Sequence, residues 1–145
     1  MQRLGWLFLL FMLLGCDPIV MIPGGRLSGD ATAAPSDWGF TDATETFQLE
    51  TRPADPYSVN IWALTIDDSL YIVAGTGPET TWAQHIENDD RVRLRVEEAI
   101  YELRAVRDDS PESRDAFLVA AKAKYDFEPD GDEADQAILF RLEPR

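Results

Sequence analysis

The run from Arg91 to Val106 constrains this chain more than any other stretch. Val92, Leu94 and Val96 alternate with Arg91, Arg93 and Arg95, the period of two that suits a strand with one buried face. A two-residue loop at Glu97-Glu98 sets Leu94 opposite Tyr101 and Val92 opposite Leu103, all inward. The same register sets Arg93 opposite Glu102 on the outer face. A slip of one residue buries the arginines, so pattern and charge select one pairing.

A second hairpin is expected at the centre. Ser58 to Ile66 is rich in β-branched and aromatic residues, Asp67-Asp68 can turn, and Ser69 to Ala74 returns. A two-residue loop there pairs Ile61 with Ala74, Trp62 with Val73, Ala63 with Ile72 and Leu64 with Tyr71. Both faces of that hairpin are apolar, so both need a cover: the barrel interior on one side, and a helix, a second subunit or a ligand on the other. Thr44 to Glu50 reads as a first strand and Ala137 to Leu142 as a last. Thr80 or Thr81 can cap a short helix with Trp82, His85 and Ile86 on one face. Ser110 as N-cap and Pro111 at the first turn start a longer helix to about Lys124, with Phe117, Ala120 and Ala121 as its apolar stripe. The acidic stretch 126–135 mimics the start of an EF-hand loop, but Ala137 stands where the bidentate Glu is required, so it reads as a solvated loop.

The first sixteen residues decide location. Arg3, the apolar run Leu4 to Leu14, Gly15 and Cys16 have the layout of a secretory signal peptide. Eleven apolar residues make a helix of about 16 Å, too short for a bilayer core of about 30 Å. Leu13-Leu14-Gly15-Cys16 resembles the bacterial lipobox, which implies cleavage before Cys16, acyl chains on its sulfur, and a membrane anchor outside the cytoplasm. Asp17 after that cysteine resembles the inner-membrane retention signal of lipoproteins in two-membrane bacteria. The resulting location is the cell envelope, on the periplasmic side. Residues 16–37, with three prolines and the cluster Gly24-Gly25-Arg26-Leu27-Ser28-Gly29, read as the lipidated N-terminus, a tether and a turn into a domain over 38–145. The glycines lack the Lys-Ser/Thr of a phosphate loop.

Loss of residues 1–15 leaves 130 residues with 12 basic against 27 acidic, a balance of −15. That excludes nucleic acid as a partner and an electrostatic hold on anionic lipid, so the acyl chains must do the anchoring. Cys16 is the single cysteine and His85 the single histidine. Disulfides and Cys/His metal sites are therefore excluded, and no metal is expected.

Trp82, His85 and Ile86, followed by Asp90 and Val92, and then Tyr101-Glu102-Leu103-Arg104-Ala105, keep a recognisable spacing. With the element order, they resemble the flavin-binding split β-barrels, nearest the deazaflavin-dependent nitroreductase and quinone-reductase branch. The resemblance spans about 45–142. It implies a mainly β fold with α, an antiparallel split β-barrel with two helices, and a homodimer. It also implies FMN or a deazaflavin as cofactor, with Trp82 as a pocket wall and His85 as a catalytic polar or proton-transfer group. Phosphate would fall to Thr76, Thr80, Thr81 and Arg52. The chain departs from that branch at His85, which replaces an asparagine, and in the Thr76–Thr81 loop, which holds no Lys or Arg.

Two functions follow. One is a lipid-anchored flavin- or deazaflavin-type reductase. The other is a non-catalytic lipoprotein that keeps the barrel and binds a small apolar ligand or an envelope protein. The export route favours the second, because a Sec-type signal moves unfolded chain and Gln2-Arg3 is not a twin arginine. On residue type alone, Trp82 also reads as a core aromatic and His85 as an exposed helix residue.

Overall fold

The hairpin at Arg91 stands in the expected register. In the computed structural model, which describes residues 24–145, Val92 pairs with Leu103, Arg93 with Glu102 and Leu94 with Tyr101. The signal segment, Cys16 and Asp17 lie outside the described residues. The elements are β1 (Ala31–Thr32), β2 (Phe47–Thr51), β3 (Tyr57–Ile61), β4 (Ala63–Ile66), β5 (Ser69–Ala74), α1 (Thr81–Asn88), β6 (Arg91–Val96), β7 (Ala99–Arg107), α2 (Pro111–Tyr125), α3 (Gly131–Gln136) and β8 (Ile138–Pro144).

The sheet runs β3-β2-β6-β7-β8-β5-β4. Every pairing on this path is antiparallel, while β1 adds to β7 in parallel. The two ends of the path, β3 and β4, are separated in sequence only by Trp62. The sheet therefore curls until one bent strand serves both ends, which makes a split barrel. The bend also corrects the central register. Ala63 meets Ile72 and Leu64 meets Tyr71 as expected, but Ile61 pairs with Phe47 on β2 instead of Ala74. Asp67 and Asp68 both take positive φ, 46° and 65°, as a type I′ hairpin turn demands.

Inside lie Phe47, Leu49, Leu70, Ile72, Leu94, Leu103 and Phe140, all at 0–1% exposure, with Trp82, Ala83 and Ile86 of α1. Burying each large side chain contributes about 1.5–3 kcal/mol. Leu64, Tyr71 and Leu139 are buried outside this cluster, on the alternate face of their strands, and Ala121 is buried on α2. The longer helix starts as read: the Ser110 hydroxyl accepts from the Ser113 N–H at 3.3 Å. It is fastened over β4 at its far end, where Lys124 Nζ and the Tyr125 hydroxyl donate to the Ala63 carbonyl at 3.1 and 3.2 Å.

Residues 24–32, within the stretch read as a tether and turn, lie along the barrel. Gly24 bridges Ser58 and β1 pairs with Ile100 and Tyr101. Between these points the segment crosses the outer face of β2 and β6. Leu27 N–H donates to Glu50 Oε2 at 2.6 Å. Arg93 Nη1 donates to the Leu27 carbonyl at 2.8 Å and to Glu50 Oε2 at 3.1 Å, and its Nη2 reaches the Gly29 carbonyl. Arg95 holds the Ser28 carbonyl. Arg93, expected to face water, is thus covered by this strap. Within the strap Gly29 is required, with φ at +124° and a Cβ that would sit 3.1 Å from Ile100 Cδ1.

The acidic stretch differs from the expected loop, and the two expected helices become three. Asp130 accepts from the Glu133 N–H at 2.9 Å as N-cap of α3, and Asp132 and Glu133 complement the first-turn dipole.

Candidate functional site

Between the outer face of β5, the start of α1, the middle of α2 and the segment through α3 lies a cleft of about 680 Å³. Trp62 sits at the strand bend and stacks on Tyr125 with centroids 4.5 Å apart, while Phe127 meets it edge-on at 5.7 Å. Val73, Phe117, Leu118 and Trp82 complete the apolar walls. Trp62, Leu118 and Phe127 remain 47%, 36% and 38% exposed. Three of the five exposed large apolar residues among the described ones therefore face one concavity, where scattered ones would mean nothing.

The N-terminal end of α2 is fixed by charge. Arg114 donates to Asp109 Oδ1 at 3.1 Å and to the carbonyls of Ala134 and Ala137 at 3.0 and 2.9 Å. Asp109 also accepts from the Leu139 N–H and from Arg107. Burial raises the Asp109 carboxyl, but the Leu139 and Arg107 hydrogen bonds and the two arginines outweigh it and leave it below its ordinary value. Asp108 shows the same balance, with burial outweighed by Ser113, Ser110 and Tyr71.

The residues expected at a cofactor site divide between two places. Thr76, Thr80 and Trp82 line the cleft. Thr80 is the N-cap of α1, but its hydroxyl meets Thr76 Oγ1 at 2.7 Å and caps no backbone N–H. Trp82 is 8% exposed and packs on Phe140 with centroids 6.0 Å apart, so one edge serves the cleft and the body serves the interior. Thr81, His85 and Arg52 do not line the cleft. His85 Nδ1 shares a 2.8 Å hydrogen bond with Thr51 Oγ1, and its ring meets Tyr57 edge-on at 5.0 Å. Burial, then the Arg52 cation, push the His85 imidazole below its ordinary value. Arg52 pairs with Asp55 at 3.0 Å and lies over Tyr57.

A flavin or deazaflavin carries phosphate, which needs free donors and positive charge. Among the described residues Arg114 is the cleft's single cation, and its guanidinium is bound to Asp109 and two carbonyls. Glu79, Asp130, Asp132 and Glu133 share the lining. The walls suit a flat apolar body, and the charge does not suit a phosphate. Among the described residues no three His, Cys, Asp or Glu side chains gather as metal ligands, and no helix is long and apolar enough to cross a membrane.

Trp62, Phe127, Leu118 and Arg114 were not singled out from the sequence. The signal for Phe127 was present: an aromatic alone among Asp126, Glu128 and Asp130 has no interior of its own to fill.

A family profile described as "Uncharacterized protein conserved in bacteria (DUF2255)" matches residues 40–135. No curated protein matches the sequence. Among solved structures, a conserved hypothetical protein of Mycobacterium tuberculosis is similar at 16% identity and a TM-score of 0.62, over 82% of this chain and 86% of that one. A protein named F420 reductase is similar at 18% identity and 0.53, over 77% and 95%. An FAD-binding protein of Mesorhizobium loti is similar at 19% and 0.53, over 72% and 83%. At these identities the likeness is one of fold: a split barrel shared with proteins named for flavin and F420.

Proposed function

The chain belongs to the bacterial family DUF2255, and from that starting point we propose that its barrel is a non-catalytic binding domain for a small apolar molecule, held at the cell envelope. The carrying observation is the convergence of Trp62, Leu118 and Phe127 on a cleft whose only cation among the described residues is already bound. Filling it would remove exposed aromatic surface from water at about 25 cal/mol per Å². The anchor in this reading is acylated Cys16. Cys16→Ser is expected to move the protein from the membrane to the soluble fraction, with the acyl mass gone from the N-terminal peptide.

A flavin- or deazaflavin-type reductase is the second reading, favoured by Thr76, Thr80 and Trp82 meeting on the same cleft. The sequence expectations of a homodimer and of an envelope partner stay with either reading, and mass photometry of the purified chain counts the copies.

The deciding experiment uses the full-length chain in lipid nanodiscs and follows the indole N–H resonances of its tryptophans. 4-Phenylbutanol is expected to shift Trp62, and FMN at about 1 mM is expected to leave Trp62 and Trp82 unmoved. Micromolar FMN binding that moves both would overturn the non-catalytic reading in favour of the reductase.

A further inference from the structure

The rim of the cleft has the opposite character from its walls. Glu79, Asp130, Asp132 and Glu133 are exposed there beside Trp62, Phe117 and Phe127. None of the four carboxylates has an ion-pair partner among the described residues. Some acids elsewhere are matched, such as Glu50 with Arg93, Asp89 with Arg91, Asp90 with Arg104 and Asp109 with Arg114. Others are as unpaired as these four, so what sets the four apart is their place together on the lining of one apolar cleft. The charge of Arg114 is spent on Asp109, so the space between walls and rim is negative.

We propose that the ligand of this cleft is an organic cation: an aromatic or aliphatic body bearing a protonated amine or quaternary ammonium. The inference rests on the cleft being the binding site. The body covers Trp62, Leu118 and Phe127. The cationic head lies within a Debye length, about 8 Å, of the carboxylates and can use the ring faces of Trp62, Phe117 and Phe127, whose attraction for cations grows as water leaves. A formal charge of −14 on the whole chain draws cations toward the cleft and speeds their arrival. The same field repels carboxylates, phosphates and sulfates of equal shape.

Three probes with one body separate charge from shape: 4-phenylbutyltrimethylammonium, 4-phenylbutanol and 4-phenylbutanoate, titrated into the nanodisc-held chain with the Trp62 indole as readout. The ammonium is expected to bind about tenfold more tightly than the alcohol, with the carboxylate weakest. The combined variant Glu79→Gln, Asp130→Asn, Asp132→Asn, Glu133→Gln is expected to bring the three affinities together, and Asn at position 130 keeps the helix cap. Equal binding of ammonium and alcohol to the unaltered chain overturns the cation inference and leaves the cleft reading standing. No response of Trp62 to any probe overturns both. A preference that persists in the combined variant, with unchanged circular dichroism, overturns the role given to these four carboxylates.

Discussion

Over β2 and β6 the barrel is covered by residues 24–32, which are bonded to the charged side chains beneath them. Over β4 and β5 it is covered by α2, fastened at one end by Lys124 and Tyr125 and at the other by Arg114. Between those fastenings Phe117 and Leu118 face open space. Both covers attach to the barrel through polar bonds. The strap makes them along its length, through Leu27, Ser28 and Gly29, and follows the sheet. The helix makes them near its ends, and a straight element cannot follow a curled sheet between two points. A cover that is pinned continuously becomes part of the wall, and one pinned at its ends leaves room for a guest.

The strongest test of that contrast removes a charge under the strap. Glu50 is 2% exposed and its partner Arg93 is 13% exposed. Glu50→Gln keeps an acceptor for Leu27 but strands the guanidinium, and is expected to cost about 3 kcal/mol in urea unfolding. Next comes Gly77, which has φ at +59° and would place a Cβ 2.3 Å from the Gln136 carbonyl oxygen. Gly77→Ala is expected to cost about 2 kcal/mol and to raise hydrogen exchange in α3 while leaving the strap protected. Trp62→Ala removes a half-exposed ring stacked on Tyr125. It is expected to cost about 1 kcal/mol, and 4-phenylbutanol, expected to slow hydrogen exchange in α3 of the unaltered chain, is expected to lose that effect in the variant. A large loss of stability instead would make Trp62 a structural pin and close the comparison between the flanks.

The smallest effect concerns pH. His85 titrates lower in the folded protein than its ordinary 6.5, through burial and then Arg52, with Asp55 opposing. Below 6.5 the unfolded chain therefore binds a proton that the folded chain refuses, so stability rises with pH across that window and falls as pH drops through it. His85→Gln is expected to flatten that slope between about pH 7 and 5. An unchanged slope would remove His85 as its source; Asp89, held at about 2 from an ordinary 3.8 by its hydrogen bond from Arg91, loses its contribution only as pH falls between those two values.

What could be read in the sequence followed from how local its cause was. The Arg91 hairpin was legible because its alternation and its charges point to one register. The hairpin at Asp67 was legible only up to Ala63, because Ile61-Trp62-Ala63-Leu64 has no polar residue to mark a face, and a bend leaves no trace in such a run. The strap reads as linker because its glycines and small residues show no alternation, and what holds it is bonding of its Leu27 and Gly29 backbone to Glu50 and Arg93, far along the chain. The cleft depends on α3, hidden in an acidic run. There the spacing of Asp130 to Glu133, an N-cap with an acid three residues on, was a helix start that the resemblance to a calcium loop obscured. For Trp82, the resemblance implied a pocket wall and residue type implied a core aromatic, and the packing joins the two: the ring is 8% exposed and still lines the cleft.

One consequence of β1 reaches beyond folding. The neighbours of β7 on one side are β8 along Leu103 to Arg107 and β1 at Ile100 and Tyr101. Without those two strap residues, the start of β7 would offer unpaired backbone groups to the next molecule it met. The strap thus works as a selvedge, the finished border that keeps a woven cloth from catching on its neighbour. That guards against strand-to-strand association as much as against unfolding.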